Sequence, residues 1–541
     1  MKPGTVFVSF DDREPPPVFL LAAAKPEKRR TPFGPAAAVP HQLLIKALRQ
    51  CFITLKGAAL SKQEERNSAM ARKVDDQVES RLVSVVPSPR QLRLQCMEFY
   101  AFVHFTVNTF TGKEWGSGTE SPSVFNPKKL DAAQWVQAIA AAGMKALILT
   151  CKHHDGFCLW PSRYTDHTVA ASPFRGGRGD VVKEVSDACR AYGLAFGVYL
   201  SPWDRNNPAY GSGKPYNDYF VRQLEELLTG YGEICSVWFD GACGEGPNGK
   251  VQVYDWERYY KTIRSLQPGA CIHVCGPDVR WCGNEAGFTR RSEWSVVPER
   301  TRDTEKIAKN SQQEDSGEFA RRRITAGDED LGGYDLVKDE EKLIWYPAEV
   351  NTSIRPGWFY HDYEDTRVKP LSELIRVYEG SVGGNATFLL NIPPSPDGLF
   401  HENDVKRLHE FGGYLKEAYG NNLLDRAELA ADSCVPGYEI DAVRTDNYDH
   451  FFKTEDYARS CHISISFPEV TEVKRIVLKE NILCSQRIEA FRILADGRPV
   501  YEGTVAGYKK IAVFEPVRVK KLTIEILDAR VAPTLSFIGV Y

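Results

Sequence analysis

From Met97 onwards the chain alternates short apolar runs with amphipathic segments. The apolar runs predict buried β-strands and the amphipathic segments predict helices, so this region repeats a strand–helix unit. The predicted strands are 99–105, 146–150, 194–200, a run ending at Asp240, 271–275 and 386–391. The predicted helices are 132–142, 181–192, 217–231, 256–266 and 404–419. We therefore predict an α/β fold, a (β/α)8 TIM-like barrel over 89–423. A doubly wound sheet is the alternative, although no G-x-G-x-x-G opens the first helix.

Different patterns flank the predicted barrel. Short β-like runs separated by turn residues predict a C-terminal β-sandwich over 424–541. These runs are 461–467, 473–478, 491–494, 513–517, 521–526 and 535–541. For residues 1–88 we predict a poorly structured N-terminal extension. Alternatively the start codon is mis-assigned, since Met70 lies downstream of the given start. The charge-rich stretch 299–342 predicts a surface insertion or an active-site lid.

Composition excludes several classes of partner. Charged residues make up 26% of the 541 residues and the net charge is −4, so no nucleic-acid partner is expected. No apolar run reaches the length of a membrane span, about 18 residues. The 13 cysteines are scattered, which favours reduced thiols. No signal peptide is recognised, so we expect a cytoplasmic protein by default, or a periplasmic or secreted one if the start is mis-assigned. The oligomeric state stays open.

Polar and aromatic side chains occupy the carboxyl ends of successive predicted strands. They are His104, His153, His154, Tyr199, Trp238 and Asp240. Functional groups of a barrel gather at these ends, and burying so many polar groups without partners would be costly. We therefore predict that these side chains line a pocket for a polar ligand. A second acid, Glu285, lies on the loop 280–287, and two carboxyls flanking one bond are the machinery of glycoside hydrolysis.

Other interpretations of these residues remain open. Asp240 could instead cap a helix or form a salt bridge, and Glu285 could be an ordinary exposed acid of a loop. His153 and His154 fit metal binding, a structural pair or hydroxyl binding, although adjacent residues of an extended chain point in opposite directions. Two rival functions follow, a metal-dependent hydrolase using this histidine pair and a non-catalytic glycan-binding protein. No cofactor is predicted.

Several short motifs occur in a fixed order between about 90 and 420. They are His104-Phe105, Asn108-Thr109-Phe110, Glu114-Trp115, Lys152-His153-His154-Asp155-Gly156-Phe157, Trp238-Phe239-Asp240-Gly241, Gly283-Asn284-Glu285-Ala286-Gly287, Ser353-Ile354-Arg355-Pro356-Gly357-Trp358 and Leu389-Leu390-Asn391-Ile392-Pro393-Pro394. Together the motifs resemble the α-L-fucosidases of glycoside hydrolase family 29. The Asn-Thr-Phe and Asn-Glu-Ala-Gly elements resemble the subgroup that acts on α-1,3/1,4-linked fucose. The predicted sandwich resembles that family's carbohydrate-binding-like module.

The resemblance implies a function and a set of roles. It implies a retaining exo-glycosidase that releases terminal L-fucose from fucosylated oligosaccharides or glycoconjugates. Asp240 becomes the nucleophile and Glu285 the general acid/base. The implied fucose pocket consists of His104, Glu114, Trp115, His153, His154, Tyr199 and Trp238. The chain departs from the family pattern at Thr106, where glycine is expected, and we expect the threonine to tighten the pocket mouth.

Overall fold

The computed structural model describes residues 76–304 and 330–541. Most of the predicted N-terminal extension, and 305–329 of the charge-rich stretch, therefore lie outside the described residues. The described helices are α1 (Asp76–Val83), α2 (Pro89–Met97), α3 (Val107–Thr111), α4 (Ala132–Ala141), α5 (Val181–Tyr192), α6 (Lys214–Gly230), α7 (Trp256–Leu266), α8 (Tyr334–Val337), α9 (Leu371–Ser381) and α10 (Glu402–Tyr419).

Eight parallel strands form the nearly closed barrel that the pattern predicts, and the fold class is confirmed. The strands up to residue 391 are β1 (Phe99–Val103), β2 (Ala146–Lys152), β3 (Ala195–Leu200), β4 (Ser236–Phe239), β5 (Cys271–Val274), β6 (Arg280–Trp281), β7 (Val296–Pro298), β8 (Leu343–Trp345), β9 (Ala348–Ser353) and β10 (Ala386–Asn391). Around the barrel the order is β5-β4-β3-β2-β1-β10-β9-β6, and a single bridge between His273 and Val279 joins its ends. The pair β7–β8 forms a separate antiparallel hairpin.

Long amphipathic helices cover the outside of the barrel. Helix α5 shows why they form: Asp180 caps its first turn, Gly193 ends it at φ 74°, and one face buries Val181, Val185 and Cys189. Aspartate at the N-cap is a usual helix start signal, and a left-handed glycine after the last turn is a usual stop signal. The connection 275–279 between β5 and β6 is too short for a helix, so this βα unit of the barrel is incomplete.

The C-terminal region is one seven-stranded antiparallel sheet. Its strands are β11 (Glu428–Ala431), β12 (Phe452–Lys453), β13 (Cys461–Glu480), β14 (Ile488–Ala495), β15 (Arg498–Gly503), β16 (Lys510–Ala529) and β17 (Thr534–Val540). Two pairs of predicted short strands are in fact the single long strands β13 and β16, so the predicted turns there are wrong. The register between these strands shifts near Pro468 and Pro516, because proline cannot donate to the ladder.

The sheet folds onto itself as a sandwich because β13 and β16 run through both of its halves. One half adds β11, β14 and β15, and the other adds β12 and β17. Side chains of both halves, such as Ile463 and Phe491 from one and Leu478 and Ile538 from the other, share one hydrophobic core. Within 76–304 and 330–541, no helix has the length and apolar character needed to cross a membrane.

Candidate active site

Asp240 follows the last residue of β4 and opens onto the carboxyl end of the barrel. Its side chain is 23% exposed. The Tyr199 hydroxyl donates to Oδ2 at 3.0 Å and the backbone N–H of Ala242 donates to Oδ1 at 2.8 Å. Burial raises the pKa of Asp240, while the donors from Ala242, Tyr199 and Gly241 oppose that rise. The Asp240 carboxyl group is therefore fixed by hydrogen bonds and remains partly exposed to a ligand.

His153 and His154 lie just beyond β2, which ends at Lys152. Their ring centroids are 4.1 Å apart, and the His153 ring stacks on Tyr199 at 5.6 Å. The prediction that adjacent histidines point in opposite directions is therefore wrong, because strand alternation stops where the chain leaves the sheet. Both histidines face the same site as Asp240.

The hydrogen bonds of His154 fix its tautomer. Ser201 donates its hydroxyl proton to the Trp203 carbonyl at 2.6 Å, so its oxygen accepts from His154 Nδ1 at 2.7 Å. His154 Nε2 therefore carries a lone pair, and it lies 3.7 Å from Asp240 Oδ2. Burial lowers the pKa of His154 to about 3, so the ring is neutral at pH 7. Two acceptors that face each other across this gap favour a bound donor, such as a sugar hydroxyl.

His104 is fixed in the same way. The Asn391 amide donates to Ser353 Oγ at 2.9 Å and to the Trp358 carbonyl at 2.8 Å, so its carbonyl oxygen accepts from His104 Nδ1 at 2.8 Å. Burial lowers the pKa of His104 to about 3 and lowers that of His153 well below its ordinary value. These rings are neutral, which suits them to bind hydroxyl groups rather than to hold charge.

Glu285 sits on a loop that Asn284 organises. The buried Asn284 side chain accepts from the backbone N–H groups of Ala286 at 3.0 Å and Phe288 at 3.3 Å. The Trp358 indole N–H donates to Glu285 Oε2 at 3.1 Å. Burial raises the pKa of Glu285 to about 8; the Trp358 bond opposes this, and the charges of Asp240 and Glu114 add to it. The two acids thus lie close enough to interact, and Glu285 is protonated at neutral pH.

Glu114 and Trp115 reach the site from the chain after α3. Glu114 accepts from the backbone N–H groups of Trp358 at 2.9 Å and Phe359 at 3.4 Å, and contacts His361 Nε2 at 2.7 Å. It therefore holds the segment that carries the Glu285 donor. The Trp115 ring packs edge-on against His154 at 5.8 Å.

Trp238 connects the site to the barrel interior. Its ring stacks on Tyr199 at 5.4 Å, and its indole N–H donates to Glu349 Oε1 at 2.8 Å. Glu349 also accepts from His273 Nδ1 at 2.9 Å and from the Tyr100 hydroxyl. Trp358 contacts Glu285, Glu114 and His104, and through it all the predicted site residues join one cluster.

Trp358, Glu349, His273 and Tyr100 are among the residues of this neighbourhood that were not predicted. Trp358 belongs to one of the quoted motifs, which was the only available signal. The other three are single residues inside strands, with no spacing that marks them.

Thr106 does not lie at the pocket mouth. It is fully buried, accepts from the backbone N–H of Asn108 at 3.2 Å and donates to Asp155 Oδ2 at 2.7 Å. The expectation for this position is wrong, because capping α3 and satisfying a buried carboxyl group both draw the hydroxyl inward.

One set of side chains in the described ranges has the geometry to hold a cation. His153, His154 and Asp240 each offer a ligand atom, and these atoms all lie within 4.8 Å of one another. Two imidazoles and a carboxylate are a zinc-type donor set. The donor set that the rival hydrolase would need is therefore assembled, in the same place as the pair of acids.

Comparison with known proteins places the chain. The family model described as Alpha-L-fucosidase matches residues 90–421. Alpha-L-fucosidase 1 of Arabidopsis thaliana is 37% identical over 469 residues, covering 84% of this chain and 87% of that protein. The structure of the Ruminococcus gnavus GH29 fucosidase in complex with fucose superposes with a TM-score of 0.73 at 30% identity, over 87% of this chain and 96% of that one.

A glycoside hydrolase 29 family member from an unknown rumen bacterium also matches, with a TM-score of 0.68 and 37% identity, over 84% of this chain and 77% of that one. The resemblance to the family that the motifs carry is confirmed. The chain belongs to the α-L-fucosidase family, glycoside hydrolase family 29, and is a glycoside hydrolase.

Proposed function

We propose that the enzyme removes terminal L-fucose from fucosylated oligosaccharides or glycoconjugates with retention of configuration. The observation that supports this best is the contrast between its two acids. Asp240 accepts hydrogen bonds on both oxygens, while the pKa of Glu285 is raised to about 8. Neighbouring carboxyl groups with different environments divide into a nucleophile and an acid.

In the first step Asp240 attacks the anomeric carbon while the bond from that carbon to the leaving oxygen breaks. Glu285 gives its proton to that oxygen, so the aglycone leaves as an alcohol and Glu285 becomes a carboxylate. A fucosyl ester of Asp240 remains. The Tyr199 donor and the Ala242 N–H position the carboxylate before it attacks.

In the second step water hydrolyses the fucosyl ester of Asp240. Glu285 takes a proton from the water, whose oxygen attacks the anomeric carbon, and Asp240 leaves as a carboxylate. Fucose is released and both acids return to their starting protonation states. Retention requires carboxyl groups about 5–5.5 Å apart when the sugar is bound.

Neutral imidazoles and aromatic rings would hold the sugar. His104, His153 and His154 offer hydroxyl-binding nitrogens, and the 3.7 Å gap between His154 Nε2 and Asp240 Oδ2 suits one bridging hydroxyl. The Phe359 ring, 5.1 Å from His153, would supply an apolar wall for the methyl group of fucose. Such a wall should favour fucose over galactose-like sugars by about 1–3 kcal/mol.

Glu114, Trp115, Tyr199 and Trp238 complete the proposed pocket. Glu114 would act mainly by holding the 358–361 segment, since both of its oxygens are engaged there. The likeness of Asn108-Thr109-Phe110 and Gly283-Asn284-Glu285-Ala286-Gly287 to one subgroup supports α-1,3/1,4-linked fucose as the preferred substrate. The C-terminal sandwich would then be a carbohydrate-binding module.

Free fucose released from Lewis-type trisaccharides and from a 2′-fucosyl oligosaccharide tests activity and linkage together. We expect release from the Lewis-type sugars and much slower release from the 2′-linked one. Equal rates on both would contradict the linkage. A fluorinated fucosyl trap followed by peptide mass spectrometry should label Asp240, and a label on any other residue would overturn the mechanism.

The rival metal-dependent hydrolase is supported by one observation, the cluster of His153, His154 and Asp240. It predicts loss of activity after dialysis against a chelator and its return on adding metal. The proposed mechanism predicts unchanged fucose release under the same treatment.

A further inference from the structure

We propose that the pocket is also an inhibitory site for zinc-type divalent cations, bound by His153, His154 and Asp240 in competition with the sugar. This inference rests on the proposed function, because it takes Asp240 as the group that must stay free to react. The cation is an inhibitor here and has no role in bond cleavage.

The spacing of the ligand atoms suits such a cation. Zn²⁺ binds imidazole nitrogen and carboxylate oxygen at about 2.0–2.2 Å, so neighbouring tetrahedral ligands lie about 3.3–3.6 Å apart. His154 Nε2 and Asp240 Oδ2 are 3.7 Å apart. The widest separation in the trio is within 4.8 Å, which a small rotation of one side chain would close.

The chemistry of the three groups agrees with their spacing. Because His154 Nδ1 donates to Ser201, the lone pair of His154 Nε2 points toward Asp240. Two hydrogen-bond acceptors, His154 Nε2 and Asp240 Oδ2, therefore face each other with no proton between them. His153 is 5% exposed, and its Nδ1 has no hydrogen-bond partner among the described residues. A cation that accepts lone pairs from all three side chains would satisfy each of them.

The same arrangement explains why binding would inhibit. A cation held by Asp240 takes the oxygen lone pair that the anomeric carbon would otherwise receive. It also fills the gap that suits a sugar hydroxyl. Zn²⁺ should therefore raise the apparent KM for an aryl fucoside and leave kcat unchanged.

Calorimetric titration of the full chain with ZnCl₂, with and without L-fucose, tests the site directly. We expect one Zn²⁺ bound per chain and loss of that binding at saturating fucose. His153→Ala, His154→Ala and Asp240→Asn should each abolish it. Ser201→Ala should weaken it about 10–100-fold, since this serine orients a ligand from behind.

His462→Ala is the matched control. His462 lies on the sandwich between Asp432 at 2.7 Å and Glu525 at 3.8 Å, a second histidine–carboxylate set far along the chain from the pocket residues. This variant should bind Zn²⁺ like the parent. Co²⁺ binding adds a second readout, and its spectrum should lack a thiolate charge-transfer band.

Failure of this inference is distinguishable from failure of the proposed function. Zn²⁺ binding that fucose does not displace, Zn²⁺ binding that only His462→Ala removes, or a thiolate band in the Co²⁺ spectrum would overturn the inhibitory site while fucose release continues. A chelator-treated enzyme that releases no fucose until zinc is added would overturn both.

Discussion

Two glutamates, the partly exposed Glu285 at the rim of the barrel and the buried Glu349 inside it, show how the same side chain acquires opposite properties. Each accepts an indole N–H, from Trp358 at 3.1 Å and from Trp238 at 2.8 Å. They differ in their remaining neighbours.

Glu349 is 0% exposed, and burial alone would raise its pKa. The interaction with His273, together with the donors from His273, Trp238 and Tyr100, outweighs burial and lowers the pKa. Among the described residues Glu285 has a single such donor and two acids nearby, and burial raises its pKa to about 8. Glu349, which accepts three hydrogen bonds, is a structural anion, whereas Glu285, which accepts one from Trp358, is an acid that can give up a proton.

The largest effect should come from removing the nucleophile next to Glu285. Asp240→Ala should lower kcat/KM on fucosides on the order of 10⁴-fold or more, because no covalent intermediate can form. Fucose release by the purified variant measures this. Full activity of the variant on an unactivated trisaccharide would contradict the assignment.

The next largest effect should come from Glu285 itself. Glu285→Ala should lower kcat on unactivated oligosaccharides by about 10²–10⁴-fold, the usual share of general acid–base catalysis. Substrates with good leaving groups should lose much less, and azide should restore turnover by replacing water as the second nucleophile. If azide gives no fucosyl azide and all substrates suffer equally, the acid/base role is wrong.

The interior glutamate should affect stability instead of chemistry. Glu349→Gln keeps the shape but removes the charge that faces His273, so the free energy of unfolding should fall by about 3–5 kcal/mol. Denaturant titration measures the change. Glu373→Gln on α9 is the matched control: its carboxylate pairs with Lys369 at 3.3 Å on the surface, and its loss should cost at most about 1 kcal/mol. Equal effects of the two substitutions would refute the contrast.

The smallest effect should come from the single donor of Glu285. Trp358→Phe removes the bond that lowers the pKa of Glu285, so that pKa should rise further. The alkaline limb of the kcat/KM profile should move to higher pH, while the acidic limb stays in place. A shift to lower pH would show that Trp358 does not stabilise the charged form of Glu285.

The barrel could be predicted because its strands are continuous apolar runs and its helices carry clear caps. Helices α5 and α7 and strand β10 have the predicted limits. The long strand β13 was missed because Pro468, between the predicted runs 461–467 and 473–478, imitates a turn, whereas the sheet absorbs it as an irregularity in register. In β16 the predicted break lies at 518–520, where Arg518 and Val519 in fact pair with Glu472 and Thr471 of β13.

In the site, the carboxyl ends of the strands marked His104, Tyr199 and Asp240 as neighbours. The relation between His153 and His154 could not be predicted, since it depends on where β2 ends. Glu349 could not be predicted for a different reason. Its partners Tyr100, Trp238 and His273 are far apart in sequence, and only closure of the barrel brings them together.

The pH dependence of kcat/KM on an aryl fucoside with a leaving group of intermediate quality tests the central claim most directly. Glu285 must be protonated, so the rate of the parent enzyme should fall as pH rises through about 8. Asp240 must be ionised, and burial raises its pKa, so the rate should also fall toward acid at a pH above the ordinary carboxyl range. In Glu285→Gln the alkaline limb should disappear and the acidic limb should remain. An alkaline limb that survives unchanged in this variant would contradict the assignment of Glu285 as the acid.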